Sequence, residues 1–320
     1  FKKIGLTALA ASLVSTSAFA GELTATGAAS ISLENYSGEQ VNSDKAWSMA
    51  DSVILSGSTE LDNGMTVSMS FELDDADTAH SYDSHSITIA SDALGTLTFA
   101  GNGGSSAVSA MDATAAGDIF DTFDGQIGTA ENSTTAGDAA MLTSPGGNDS
   151  FFYTAPAVMD GLAIKAGYTP SHSTGAVDGS ADFGVHYTGI DGLDVYAAMG
   201  ENNNAANAAD LSMVMVKYTA GALSVGYQVN ETDFGTGTAD EDFSALGISY
   251  AVSDDLSVSL NTSTIDFEAT ANDDQEATAV SFSHTSGGMT ISGSYGSMDN
   301  VAGTSTADNS AYEINFKFAF

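Results

Sequence analysis

The last nine residues, YEINFKFAF, alternate without interruption between apolar side chains and other side chains. One parity holds Tyr312, Ile314, Phe316, Phe318 and Phe320, and the other holds Glu313, Asn315, Lys317 and Ala319. Successive side chains of a β-strand point to opposite faces, so this segment is predicted to be a strand with one wholly apolar face. Such a face requires either a packed partner layer or nonpolar surroundings.

Segments of this kind recur along the whole chain, for example MTVSMSFEL, LDVYAAMG and MTISGSYGSM. We count about sixteen, each of roughly 7–12 residues, which is the range for strands that cross a membrane. Their connections alternate between short segments, such as LDNGM and SDALG, and longer ones, of which 103–149 is the longest. Asp, Asn, Ser and Gly favour tight turns, so the pattern predicts an antiparallel meander with turns at one end and loops at the other.

A soluble β-sandwich and a closed transmembrane barrel would both alternate in this way, and three features favour the barrel. The non-apolar face is rich in Ser, Thr, Gly and Asn, as expected for a wet interior. Lysine, which soluble sheets use to protect their edges, is rare. Sixteen evenly spaced strands suit one ring, and closure gives every backbone group a partner within lipid. The predicted fold class is all-β, a transmembrane antiparallel barrel in which the first strand, LTATGAASISL, pairs with the last.

The barrel prediction assigns a face to the aromatic and charged residues of the strands. Aromatic residues near strand ends are expected at the lipid–water interface, and these are Tyr168, Tyr187, Tyr218, Phe243 and Phe320. A lysine facing lipid near the midplane costs about 2–4 kcal/mol, so charged strand residues are expected to face the interior. By parity the inward set comprises Glu34, Glu60, Glu72, Lys165, Lys217 and Lys317.

The composition excludes some partners and points to export. Asp and Glu total 42 against six Lys and no Arg, for a formal net charge of −36, which repels nucleic acid. The segment FKKIGLTALAASLVSTSAFA has a basic start, a short apolar core and an A-x-A site. We therefore expect 1–20 to be a cleaved signal peptide and 21–320 to form a single barrel domain. The chain has no Cys, so it would meet an oxidising compartment without disulfides.

The sequence carries no motif of the common enzyme classes that we recognise. G-x-S-x-G, H-E-x-x-H and the P-loop are all absent, and the five His are scattered over loops and strands. We therefore predict no enzymatic activity, although a Ser-His-Asp site in a barrel wall stays an alternative because Ser and Asp are abundant.

Several segments resemble the Gram-negative general porins of the alphaproteobacterial, Rhodobacter type. The resemblance lies in GELTATGAASISL, in LGTLTFAGN before the longest loop, in FFYTAPAVMDGLAIKAGY after it, and in the terminal Phe320. It implies a homotrimer of sixteen-stranded outer-membrane barrels, each a water-filled channel narrowed by the third long loop folded inward, here 103–149. One departure is that many relatives end the preceding strand in Arg, where this chain has Asn102, and line the facing wall with Arg.

The longest loop contains MDATAAGDIFDTFDGQIG, which supplies Asp112, Asp118, Asp121 and Asp124 as candidate constriction residues. Asp118, Asp121 and Asp124 are three apart, so on a helical turn their carboxylates would share a face. Held in a constriction they would attract cations, together with Glu34, Glu60, Glu72, Lys165 and Lys317 on the wall. They are also a tentative Ca²⁺ site, although the spacing is not that of an EF-hand, and an ordinary solvated loop stays open. No cofactor is otherwise expected.

The expected function is passive diffusion of small hydrophilic solutes and ions across the outer membrane, with a preference for cations. The expected partners are outer-membrane lipid, lipopolysaccharide, the permeating solutes and further copies of the chain. The alternative is a secreted, acidic, Ca²⁺-binding β-protein of the surface-layer or adhesin kind. Extraction only by detergent would distinguish the channel from the secreted protein.

Overall fold

A computed structural model describes residues 23–38, 45–74, 84–108, 147–171, 178–203, 208–235, 240–268 and 272–320. These residues contain sixteen strands, which pair in sequence order into one closed antiparallel barrel. The predicted fold class and strand number are therefore confirmed. Among the described residues, no helix has the length and apolar character needed to cross a bilayer.

The strands are connected alternately at the two ends of the barrel. Their bounds are β1 Thr24–Gly38, β2 Lys45–Glu60, β3 Thr66–Asp74, β4 Ser84–Ser91, β5 Gly95–Asn102, β6 Ser150–Thr154, β7 Leu162–Thr169, β8 Ser180–Ile190, β9 Leu193–Asn202, β10 Ala209–Ala220, β11 Leu223–Phe234, β12 Glu241–Ala251, β13 Leu256–Phe267, β14 Gln275–Ser286, β15 Met289–Asp299 and β16 Asn309–Ala319. Connections of two to seven residues lie at one end, which we call the turn end. The opposite end, with connections of six to 47 residues, is the loop end.

The last strand closes the barrel against the first, as the sequence predicts. The register pairs Ala29 with Phe318 and Leu33 with Ile314. Beyond the strand bounds, the Phe320 N–H donates to the Gly27 carbonyl at 2.8 Å, and the Gly27 N–H donates to the Phe320 carbonyl at 3.2 Å. These two bonds extend the β1–β16 ladder to the last residue, so neither strand has a free edge there.

Strand lengths depart from the predicted range at three places. β1 and β2 have 15 and 16 residues, because alternation continues on both sides of the connection at 39–44. β6 has only five residues, SFFYT, and pairs with β5 from Thr96↔Thr154 to Ala100↔Ser150. The connection between the fifth and sixth strands spans 103–149.

The prediction for Phe243 is wrong. Phe243 is 5% exposed and packs inside the barrel with Ala245, Ile265 and Phe267, rather than lying at the lipid interface. It has the same parity as Ala245, which is buried, and it lies directly opposite Ile265 on β13. Its position near a strand end suggested the interface, but parity decides the face. Tyr168 and Tyr218 are on the outward parity and about half exposed.

Candidate functional site

The alternation of each strand separates an apolar outer face from a more polar inner face. On β14, the outward residues Val280 and Phe282 are 48% and 41% exposed. Ala277 and Ala279, which have the opposite parity, are each 2% exposed. The exposed large side chains of the other strands share the outer parity, among them Ile87, Leu97, Val214, Val216, Leu246 and Leu260. An apolar band facing outward around a closed barrel is the arrangement of a protein that sits in lipid.

The five predicted strand residues all lie on the inner face. Register places Glu60 opposite Thr66 and Glu72 opposite Ser84. It places Lys165 opposite Gly184, and Lys317 opposite Thr290. Glu34 lies opposite Glu313 across the β1–β16 seam. The structure therefore gives these residues a common interior but does not bring them together, because they are distributed around the wall.

On the inner face of the described strands, Glu34 and Glu313 are the two carboxylates that lie directly opposite each other in register. Ser32 donates to Glu34 Oε1 at 3.2 Å, and the Asn315 amide donates to Glu313 Oε1 at 3.3 Å. Like charges directly opposite each other on neighbouring strands repel. The pair therefore concentrates negative potential on one side of the inner wall.

The acidic candidates of the longest loop cannot be placed. Asp112, Asp118, Asp121 and Asp124 lie outside the described residues, so neither their constriction role nor the Ca²⁺ site is tested by the structure. Within the described ranges, no group of three or more His, Asp or Glu side chains is arranged to hold a metal ion.

A cluster of acidic, basic and aromatic side chains lies on the inner wall near the turn end. Only its lysine, Lys217, was predicted from the sequence. Asp194 Oδ2 lies 3.6 Å from Lys217 Nζ, and Asp194 Oδ1 lies 3.2 Å from His186 Nε2. The His186 ring stacks on Tyr196 at 4.0 Å between centroids, with 10° between the planes. Lys217 Nζ lies 5.8 Å from the centroid of the same Tyr196 ring. Cross-strand pairing of β8, β9 and β10 brings these side chains into one patch.

Lys217 has the inward parity of β10, which it shares with three apolar residues. Leu211, Met213 and Met215 share its parity and are 3%, 2% and 0% exposed. Met213 and Met215 pack against Ala198 and against Val108, which lies six residues beyond the end of β5. The chain that follows β5 therefore covers an apolar patch inside the barrel, which explains two methionines on a lumen face.

The charge of the inner face varies along the barrel axis. The three inward lysines, Lys165, Lys217 and Lys317, all lie within four residues of the turn-end limits of their strands. Inward carboxylates toward the loop end include Glu72, Asp74, Asp182 and Glu241. The interior is thus acidic at the loop end and mixed at the turn end.

Most of the outward acidic residues of the described strands lie in one sector. They lie near the loop-end limits of β9 to β15: Glu201, Asp210, Glu231, Asp233, Asp242, Asp266, Glu276 and Asp299. Several oppose each other directly, such as Asp210 with Asp233 and Glu276 with Asp299. We call this set the carboxylate belt. Within the described strands from β16 through β1 to β8, Asp51 is the one acidic residue with outward parity.

Known barrels share this architecture. The structure superposes on the anion-selective porin from Comamonas acidovorans with a TM-score of 0.71 at 15% identity, covering 94% of this chain and 100% of that one. For OmpT, an outer-membrane protein of Vibrio cholerae described in a trimer form, the TM-score is 0.72 at 16% identity, with 94% and 100% covered. A variant of the porin from Rh. blastica gives 0.67 at 18% identity, with 93% and 100% covered.

Sequence comparison gives the family directly. No curated protein sequence matches the chain. The profile of the Gram-negative porin family matches residues 5–320, almost the whole length. The match is consistent with the closed sixteen-stranded barrel and its outward apolar band, and such barrels form channels in the outer membrane. The chain belongs to the Gram-negative porin family.

Proposed function

We propose that this porin is a passive diffusion channel for small hydrophilic solutes and ions. The observation that carries the proposal is the closed barrel with an apolar outer band and a hydroxyl- and charge-bearing inner face. A wall of Ser, Thr, Asn, Glu and Lys side chains can form hydrogen bonds with water and with polar solutes without a dedicated binding site. The secreted Ca²⁺-binding alternative does not account for the large apolar side chains on the outer face.

Osmotic swelling of proteoliposomes tests the diffusion proposal. Vesicles containing the purified protein are diluted into isotonic solutions of uncharged sugars of increasing size. A diffusion channel admits the smaller sugars at rates that fall smoothly with size, and it shows no saturation with concentration. Swelling no faster than that of protein-free vesicles, with protein shown to be folded by its heat-dependent gel mobility, would refute the proposal.

We further propose that cations permeate in preference to anions. On the inner face of the described strands, eight carboxyl groups stand against three lysines: Glu34, Glu60, Glu72, Asp74, Asp182, Asp194, Glu241 and Glu313 against Lys165, Lys217 and Lys317. Fixed negative charge lining a narrow aqueous path raises the local concentration of cations. The Comamonas porin is described as anion-selective, so family membership does not set the sign of selectivity.

The proposed assembly is a homotrimer, with its subunit contacts in the sector that lacks the carboxylate belt. Burying several carboxylates without partners in a protein interface is strongly unfavourable. The belt therefore disfavours contacts through the loop-end part of β9 to β15. The outward strand residues from β16 through β1 to β5 include a single carboxylate, Asp51, and large apolar side chains such as Ile31, Met69 and Ile87, exposed by 43%, 43% and 49%. The trimer form of the similar Vibrio cholerae protein supports this assembly.

The belt sector would then face lipid, with lipopolysaccharide as the proposed partner at the loop end. In outer-membrane barrels, longer loops are extracellular and short turns are periplasmic. Carboxylates at the loop end would lie at the level of the outer-leaflet head groups, where divalent cations can relieve the repulsion between opposed side chains such as Asp210 and Asp233.

A further inference from the structure

A buried aspartate holds the chain that enters the barrel after β5. Asp182, near the loop end of β8, points inward and is 1% exposed. Its Oδ2 atom accepts a hydrogen bond of 3.0 Å from the backbone N–H of Val108, which lies 74 residues earlier.

Two glycines make room for this side chain. Gly167 on β7 and Gly200 on β9 are the register partners of Asp182 on either side. A Cβ atom on Gly167 would overlap Asp182 Oδ1, and one on Gly200 would overlap Asp182 Cβ. The same Cβ atom on Gly167 would also lie 3.4 Å from the Ser106 Cα atom. The inner wall therefore has no side chain on either side of Asp182, and the chain that follows β5 can lie close to the backbone there.

The entering segment, which we define as Gly103–Val108, is buried over its last three residues, whereas Gly103 and Ser105 are exposed. Ser106 is 1% exposed, and Ala107 and Val108 are 0% exposed. At its start, the Gly104 N–H donates to the Gly147 carbonyl at 2.9 Å, which closes the neck of the 103–149 connection. At its end, Val108 reaches the apolar patch on β9 and β10. The segment thus runs from the loop end of β5 across the inner face of β7 and β8.

Packing alone does not account for a carboxylate at this position. Within the described residues, Asp182 Oδ1 has no hydrogen-bond partner. A buried polar atom without a partner destabilises the fold, and an apolar side chain between two glycines would fill the slot at lower cost. An apolar side chain could not, however, accept the Val108 N–H.

We propose that Asp182 is a positioning residue that fixes the entering segment against the inner wall and thereby sets the bore of the channel. The inference rests on the proposed diffusion function, because bore is defined only for a conducting barrel. Without the Asp182–Val108 bond, the backbone N–H of Val108 loses its acceptor, while the packing of Ser106, Ala107 and Val108 remains. The cross-section left free for solutes then changes.

Four variants separate the bond from the packing around it. Asp182→Ala removes the acceptor, and Val108→Pro removes the donor while leaving the barrel wall intact. Asp182→Asn keeps an acceptor oxygen of the same size, and Val108→Ala keeps the N–H while reducing the packing. Each protein is purified in its folded, heat-modifiable form and inserted into planar bilayers, where single-channel conductance and exclusion of polyethylene glycols of graded size are measured.

The proposal predicts that Asp182→Ala and Val108→Pro both differ from the parent protein in single-channel conductance and in the size of polymer that they admit. Asp182→Asn and Val108→Ala are expected to resemble the parent protein. Parent-like conductance and exclusion in Val108→Pro overturn the proposal, even if Asp182→Ala fails to fold. A silent parent protein would instead reject the diffusion function, so the two failures are distinguishable.

Discussion

Lys217 and Asp194 face each other inside the barrel across β9 and β10, with 3.6 Å between Nζ and Oδ2 and a quarter of each side chain exposed. The pair places a compensated charge on the wall near the turn end, in a lumen that is otherwise mostly acidic. Its two members can therefore be removed separately to shift the charge of the lumen in opposite directions.

Lys217→Gln is expected to strengthen cation preference, because Asp194 then lacks its lysine. Removing one positive charge makes the potential of the lumen more negative, so the cation-to-anion permeability ratio should rise. Reversal potentials under a KCl gradient measure the ratio. Asp194→Asn is the matched control and should lower it, and the double variant should return toward the parent value. An unchanged ratio in both single variants would remove this cluster from the account of selectivity.

Adjacent residues of β14 test the assignment of faces. Val280 is outward and 48% exposed, whereas Ser281 is inward, next to Ser259. Val280→Lys should destabilise the barrel by about 2–4 kcal/mol if the residue lies near the bilayer midplane. Ser281→Lys should cost no more than the lost hydrogen bond, about 0.5–1.5 kcal/mol. Urea unfolding in lipid vesicles measures both, and equal losses would contradict the assignment.

The closing seam can be tested at Phe320. Deleting the residue removes both backbone hydrogen bonds with Gly27, at about 0.5–1.5 kcal/mol each, and should lower the free energy of unfolding by roughly 1–3 kcal/mol. Phe320→Ala keeps both bonds, and its side chain is 81% exposed, so folding in vitro should change less. If the Ala variant loses as much stability as the deletion, the side chain rather than the ladder stabilises the seam.

Tryptophan quenching tests the proposed subunit interface. The chain has a single Trp, at position 47, so Trp47→Phe gives a background without tryptophan. Ile87→Trp and Leu260→Trp then place probes on opposite sectors, each four residues from the turn-end limit of its strand. In trimers, brominated lipids should quench the probe at 260 strongly and the probe at 87 weakly. Equal quenching at both positions in verified trimers would place the interface elsewhere.

Parity made much of this fold predictable from sequence. The alternation around Phe316 and Phe318 predicted the outward face and the pairing of the last strand with the first, because both depend only on side-chain direction. Inward lysines followed from the same rule. Phe243 was assigned wrongly because its distance from the strand end was given more weight than its parity.

What the sequence did not show depends on contacts between distant parts of the chain. Asp182 looks like any other inward carboxylate until Val108 is placed against it. Met213 and Met215 share the inward parity of Lys217, and nothing near them in the sequence shows that the entering segment covers them. The carboxylate belt was not recognised in the sequence, because its members lie on different strands close to their ends. They become neighbours only through the register of the strands.

Ion current across a planar bilayer tests the central claim most directly. Purified, unboiled protein is added to one side of a membrane that separates two KCl concentrations. The account predicts discrete current steps that stay open at low voltage, with a reversal potential of the sign that K⁺ permeation gives. Absence of steps from protein that is folded and inserted would contradict the channel, and a reversal potential of the opposite sign would contradict the charge assignment of its inner wall.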